Sequence, residues 1–206
     1  VSGTVRRTRL ASHERRAQLL AIGVAMLANR RLEDLAIDDI ADQAGISRGL
    51  LFHYFDSMHE YQVAVTEAVM DDLVERLAQP TAEDGSPAER LRGSLSVYID
   101  YIAERPEMYR SVICGAASGH ERVRVLADRT REQIVDLLLS SLRSDDDTGV
   151  LAQPAARLGA HAWIAMTEEL ATRWLENPVI DRDALIGRIV AALPGLLGVE
   201  TIEGLG

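Results

Sequence analysis

The sequence predicts an all-α protein of about nine helices. Three observations carry this. Apolar residues recur at helical spacing along the chain. Aromatics make up 4% of residues, and no Val/Ile/Thr run alternates as a half-buried strand would. Capping residues, glycines and prolines separate the periodic segments.

The first helix is expected after Ser12, a plausible N-cap, reaching about Asn29 with a stripe of Ala17, Leu20, Val24 and Leu27. A short helix over about Asp38–Ala44 follows. Asp38 and Asp39 in its first turn suit the positive end of the helix dipole. Gly45 ends it as a left-handed cap. Ser47 caps a third helix over Arg48–Tyr54. Asp56 or Ser57 caps a fourth, reaching about Ala78. Pro80–Pro87 is rich in turn formers. Further helices are expected at about 88–104, 106–115, 121–142, 154–176 and 182–197, with Pro106 at a helix start. Ser144–Gly149 and Asn177–Asp181 read as loops. The chain divides into an N-terminal part, 1–56, and a C-terminal part, 57–206, bridged by the fourth helix.

Composition narrows the function. The 206 residues carry a net charge of −10, but unevenly. Residues 1–31 hold +6, residues 32–60 hold −6, and the remainder holds −10. A basic N-terminal end on an acidic body suits a polyanion at that end only. All 22 basic residues are arginine. No stretch approaches the roughly 18 apolar residues of a membrane span. Val1–Arg16 is polar and arginine-rich, unlike a secretion leader, so a cytoplasmic protein with no membrane partner is expected. The one cysteine, Cys114, rules out an intramolecular disulfide and any Cys-based zinc cluster. It reads as a buried small hydrophobe or a redox sensor. No G-x-S-x-G, P-loop or H-E-x-x-H pattern occurs, His120 and His161 stand apart from acid pairs, and adjacent Glu168 and Glu169 point to different helix faces. No enzyme, cofactor or metal site is expected.

The informative stretch is IADQAGISRGLLFHYF, residues 40–55. A DNA-reading helix-turn-helix needs two short helices at a fixed crossing angle. Ala41 is small where the second helix crosses, and Gly45 tolerates the turn. Ile40, Ala44, Ile46 and Leu51 can face a supporting helix. Ser47, Arg48, His53 and Tyr54 are polar and placed to reach bases or phosphates.

This stretch resembles the N-terminal signature of the tetracycline-repressor (TetR) family of bacterial regulators. Ile40-Ala41, Ala44-Gly45-Ile46-Ser47, Gly49, Leu51-Phe52 and Phe55 stand in the family's register, and the likeness covers about residues 14–66. It implies a nine-helix subunit with an N-terminal helix-turn-helix domain and a C-terminal ligand-binding and dimerisation domain. It also implies a palindromic operator bound as a homodimer, and repression relieved by a small-molecule effector. Carried over, the DNA contacts are Ser47, Arg48, Gly49, Leu50, His53 and Tyr54. Arg48 can pair bidentately with guanine. Gly49 lets the backbone approach, and Leu50 offers only an apolar contact. His53 and Tyr54, in inverted aromatic–His order, can donate to phosphate.

Several positions depart from the family. Ala36-Ile37 replace a Thr pair, Met58 replaces a Lys, and Arg31 replaces a glycine. Asp38 and Asp39 would repel phosphates if they faced them. Arg6, Arg7 and Arg9 either track the DNA or form a solubilising tail. The departures keep a second function open: a helical protein with altered or lost DNA binding that acts through protein partners.

In this family the pocket lies among the middle helices. The residues that could line it are Tyr98, Tyr101, Ile102, Met108, Tyr109, Val112, Cys114, Trp163, Met166 and Thr167, suiting an apolar or amphipathic effector. Taken singly, each reads first as a core residue, with tyrosine hydroxyls reaching the surface. The resemblance places the dimer on the last two helices, through Leu158, Ala162, Leu170, Trp174, Leu185, Ile189, Ala192 and Leu196. Gly159, Ala162 and Ala165 would allow close helix approach. Without the resemblance these stripes read as an internal core.

Overall fold

The computed structural model describes residues 12–79, 85–117, 121–143 and 149–200, with side chains other than those of 113–117 and 143. Arg6, Arg7 and Arg9 and the side chain of Cys114 lie outside the described residues. Among those described, the chain forms nine α-helices. They are α1 (Ser12–Met26), α2 (Ile37–Ala44), α3 (Arg48–Tyr54), α4 (Met58–Ala78), α5 (Pro87–Glu104), α6 (Pro106–Ala117), α7 (Glu121–Arg143), α8 (Pro154–Glu176) and α9 (Arg182–Leu197). Two 3-10 turns, Leu32–Asp34 and Val150–Ala152, were not expected from the sequence.

Local chemistry sets most boundaries. Ser47, Ser57 and Asp181 side chains accept from the backbone N–H three residues on. Ser86 and Glu89 form a reciprocal capping box at the start of α5. Gly45 and Gly198 close α2 and α9 at φ of 64° and 76°, in the left-handed region. α1 stops three residues earlier than expected. Its end tightens instead into i to i+3 bonds, Ala28 N–H to Ala25 and Asn29 N–H to Met26. Its buried seam is Leu19, Gly23 and Leu27; Ala17 is exposed.

One apolar core runs through both halves of the chain. It joins Leu19, Leu35, Ile40, Leu51 and Phe55 at the N-terminal end to Tyr98, Ile99, Trp163 and Ile189 at the other. α4 connects them. Tyr61 and Val65 face α1, and Gly23 makes room for them. A Cβ at Gly23 would lie 2.5 Å from the Tyr61 hydroxyl and 2.6 Å from a Val65 methyl.

α8 and α9 pack on each other within the subunit, against α7 and α5 respectively. They come close at Gly159, where a Cβ would lie 1.9 Å from the Leu196 carbonyl oxygen. That obstacle is backbone, so the helices themselves must separate. Gly159→Ala is therefore expected to destabilise by about 3 kcal/mol, at the upper end of overpacking costs. A Cβ at Gly187, in α9, meets nothing nearer than an Arg92 nitrogen at 3.9 Å. Gly187→Ala is expected to stabilise by about 0.5–1 kcal/mol through helix propensity. Urea unfolding of the two variants checks both signs.

Candidate nucleic-acid interface and ligand cavity

α2 and α3 form the helix-turn-helix. Ile40, Ala41 and Leu51 are buried where the two helices meet their support, and Ile46 N–H reaches back to the Ala41 carbonyl at 2.9 Å. Arg16 of α1 lies 5.0 Å above the Phe55 ring, and Phe55 packs edge-on against Tyr61. The outer face of α3 carries Ser47, Arg48, Gly49, Leu50, Phe52 and His53, all exposed. Tyr54 is half-buried, packed on the core and edge-on to His53. Phe52 was missed as a surface residue. It is 43% exposed and Leu50 38%, two apolar side chains on an otherwise polar face. A Cβ at Gly49 would find Ser47 Oγ no nearer than 4.0 Å, so packing does not demand glycine there.

The acidic first turn of α2 does not stand unpaired toward solvent. Asp38 forms a two-point ion pair with Arg48, and Asp39 pairs with Arg30. The repulsion expected between these aspartates and phosphate is thus offset by bound guanidinium groups. Ala36 caps α2 without a side-chain bond, and Ile37 and Met58 pack half-buried on the core. Arg31, in place of the family's glycine, donates to Glu107 of α6 at 3.3 Å. Beside it Leu32 N–H donates to Ser111 Oγ at 3.3 Å, and the Gln62 amide donates to the Leu32 carbonyl at 3.0 Å. The segment between α1 and α2 is therefore held by α4 and α6 together.

A cavity of about 520 Å³ lies between α4, α5, α6, α7 and α8. Tyr98, Tyr101, Met108, Tyr109, Val112, Trp163 and Thr167 are on its wall. Ile102 is not; it is fully buried in the core. Met166 is half-buried against that core and also off the wall. Much of the lining escaped sequence reading: Leu73 and Leu77 of α4, Leu91 and Leu95 of α5, and Ile134 and Leu138 of α7. These leucines and isoleucines carry no signal that separates a cavity wall from a packed core. One end of the wall includes the exposed Ala78, Gln79 and Ser141 with half-buried Arg90 and Ser94.

The buried tyrosines and the ion pair of the wall all have protein partners. The Tyr98 and Tyr109 hydroxyls are 2.7 Å apart, and Tyr109 donates to the Glu168 carbonyl at 3.3 Å. With that proton committed, Tyr98 donates to Tyr109. Burial raises both tyrosines' pKa, Tyr109 to about 12, so both are neutral at physiological pH. Arg131 holds the Glu168 carboxylate through Nε and Nη2 at 3.0–3.1 Å. Burial alone would lower the Arg131 pKa, but the hydrogen bonds and charge of Glu168 more than offset it. Apart from Arg90 at one end, the charged groups of the wall are thus an internally neutralised pair within a mostly apolar lining.

The helices α8 and α9 sort the expected interface residues. Leu158 is 73% exposed, Ala162 and Leu196 are also exposed, and Leu170, Trp174 and Ala192 are half-buried. Leu185 and Ile189 are buried inside the subunit, and the Trp163 indole N–H donates to the Ile189 carbonyl at 2.8 Å. Those two cannot meet a second chain while the fold is intact. Gly159 likewise serves contact with α9 of its own chain.

A helix-turn-helix joined through one long helix to a lined cavity is the architecture of a helix-turn-helix transcriptional regulator. The comparisons agree. Residues 19–60 match the model for bacterial regulatory proteins of the tetR family. Residues 87–193, just over half of the chain, match the tetracyclin repressor-like C-terminal domain. The chain belongs to the TetR family. It is 28% identical to the HTH-type transcriptional activator FasR of Mycolicibacterium smegmatis, over 94% of this chain and 88% of that one. It is 37% identical to the HTH-type transcriptional repressor KstR2 of Mycobacterium tuberculosis, over 39% of this chain and 40% of that one. A TetR-family regulator from Streptomyces coelicolor superposes with a TM-score of 0.77 at 28% identity, over 91% of this chain and 82% of that one. FadR of Bacillus subtilis, solved in complex with stearoyl-CoA, shares the fold at a TM-score of 0.64 and 18% identity, over 86% of this chain and 96% of that one. Among the described residues no helix is long and apolar enough to cross a membrane.

The cavity ion pair yields a stability test. Arg131 and Glu168 are only 28% and 22% exposed. Arg131→Met strands the carboxylate and is expected to destabilise by about 2 kcal/mol, below the ~3–5 kcal/mol of a fully buried pair. Adding Glu168→Leu should recover most of the loss in the same unfolding assay.

Proposed function

We propose that the protein is a ligand-responsive repressor that binds a palindromic operator as a homodimer and is released by a largely apolar effector. The observation that carries this is the ridge along α4 at intervals of four residues. Tyr61 and Val65 hold α1, while Val69, Leu73 and Leu77 wall the cavity. A ligand that displaces the second group displaces the first, and with it the helix-turn-helix. The effector works only through its different affinity for the two positions.

The interface reading rests on exposed Ser47, Arg48, Gly49, Leu50 and His53, with Tyr54 contributing from the edge. Arg48 reads guanine, Gly49 admits the DNA backbone, and the +6 segment 1–31, with Arg6, Arg7 and Arg9, supplies phosphate attraction. The dimer is proposed on the exposed face of α8 and α9, through Leu158, Ala162, Leu170, Trp174, Ala192 and Leu196. Such a dimer forms a four-helix bundle and sets the recognition helices about 34–36 Å apart. For the effector, the apolar lining and the stearoyl-CoA complex of FadR favour an elongated acyl-type molecule. The protein acts in the cytoplasm, where its operator is.

FasR, matched over most of both chains, is an activator, and that observation favours a second reading in which the bound dimer recruits transcription. A reporter downstream of the operator separates the two. Repression relieved by effector supports the first reading, and operator-dependent expression the second.

Binding-site selection with the purified chain should return an inverted repeat. Arg48→Ala should weaken specific binding by about 1–3 kcal/mol. Affinity should fall linearly with salt on logarithmic axes. A flat salt dependence without sequence preference would instead support a protein acting through protein partners.

A further inference from the structure

The geometry points to Asp38 as a positioning residue that makes Arg48 a guanine reader, and we propose that this ion pair sets base specificity. The inference rests on the proposed operator reading by Arg48. A guanidinium is a rigid fork with five N–H donors and two edges that can each engage a planar acceptor pair. Asp38 occupies one of them: Oδ1 faces Nε and Oδ2 faces Nη2. The edge formed by Nη1 and the second Nη2 proton is not used by that pair. It matches the O6 and N7 acceptors of guanine in the major groove.

The placement is suited to this task. Arg48 is the first residue of α3 and Asp38 the second of α2, so the pair spans the two helices of the motif. Recognition helices contact base edges with their N-terminal residues. Ser47 fixes the start of α3 by accepting from Leu50 N–H, and Gly45 fixes the turn before it. The backbone ends of both side chains are thus held, and the carboxylate holds the guanidinium plane.

Specificity is a difference of affinities. An untethered arginine is served nearly as well by a phosphate as by guanine. Holding its Nε edge removes many of the poses that reach the sugar-phosphate backbone and keeps the one that reaches a base. The carboxylate also lowers non-specific attraction, because its charge offsets that of Arg48 next to the DNA. Asp39, paired with Arg30 outside α3, has no such role.

The test uses the full chain and the operator duplex from the selection experiment, with all four base pairs placed in turn at the position whose preference Arg48→Ala erases. Binding is measured at one salt concentration, beside a scrambled duplex. Asp38→Ala should lower the preference for guanine at that position by about three- to tenfold, the scale of coupling within one hydrogen-bond network. Preferences at other positions should persist, and affinity for the scrambled duplex should hold or rise. Asp38→Glu, which keeps two carboxylate acceptors, should restore part of the preference. An unchanged guanine preference in Asp38→Ala overturns the proposal while leaving Arg48 as the reader. A parallel loss of every base preference together with a lowered melting temperature also overturns it, assigning Asp38 to the support of α2. If Arg48→Ala erases no preference at any position, the operator reading itself fails and takes this inference with it.

Discussion

The fit of α1 on α4 is the constraint on which the rest depends. The Tyr61 hydroxyl donates to the Leu19 carbonyl at 2.7 Å within the core, and burial raises its pKa so that it stays a neutral donor. Gly23 is the space that admits it. α3 reaches α4 through Phe55, which stacks edge-on against the same tyrosine. The orientation of α3 is thus defined relative to α4, and α4 in turn forms a wall of the cavity.

A second hold comes from α6. Met108, Tyr109 and Val112 face the cavity, while Glu107 and Ser111 grip the segment after α1. The same short helix therefore lines the cavity and touches the N-terminal half. Its contacts to that half are polar and partly solvated, individually weak, whereas α4 adds to its hydrogen bonds from Tyr61 and Gln62 a buried apolar contact through Tyr61 and Val65. That contrast makes α4 the structural axis and α6 the more easily released attachment.

Charge is organised by pairing. The chain is acidic overall, yet its arginines are distributed among carboxylates across helix boundaries: Arg48 with Asp38, Arg131 with Glu168, Arg157 with Glu132 and Asp136, Arg182 with Asp100. Most such pairs are exposed and add little stability individually. Their effect is orientation, since a guanidinium presents a planar fork that fixes the direction of its partner. In the cavity the same pairing keeps a charged arginine inside an apolar wall without leaving it uncompensated.

The sequence by itself determined the helices and the helix-turn-helix scaffold. Caps such as Ser47, Ser57 and Asp181, the turn at Gly45 and the apolar period all act within a few residues, so they can be read along the chain. The fourth helix, the third and the last two came out within a residue of their observed bounds for that reason. Which face each helix turns to which partner was decided only in three dimensions. An apolar stripe looks alike whether it meets a cavity, its own core or a second subunit, which is why Ile102, Leu185 and Ile189 were placed wrongly and Leu73, Leu91 and Leu138 were overlooked. The pairing of Asp38 with Arg48 was equally invisible, because the nine intervening residues carry no record of how two helices bring two side chains together. Local propensity fixes elements; the long-range fit of side chains fixes what those elements do.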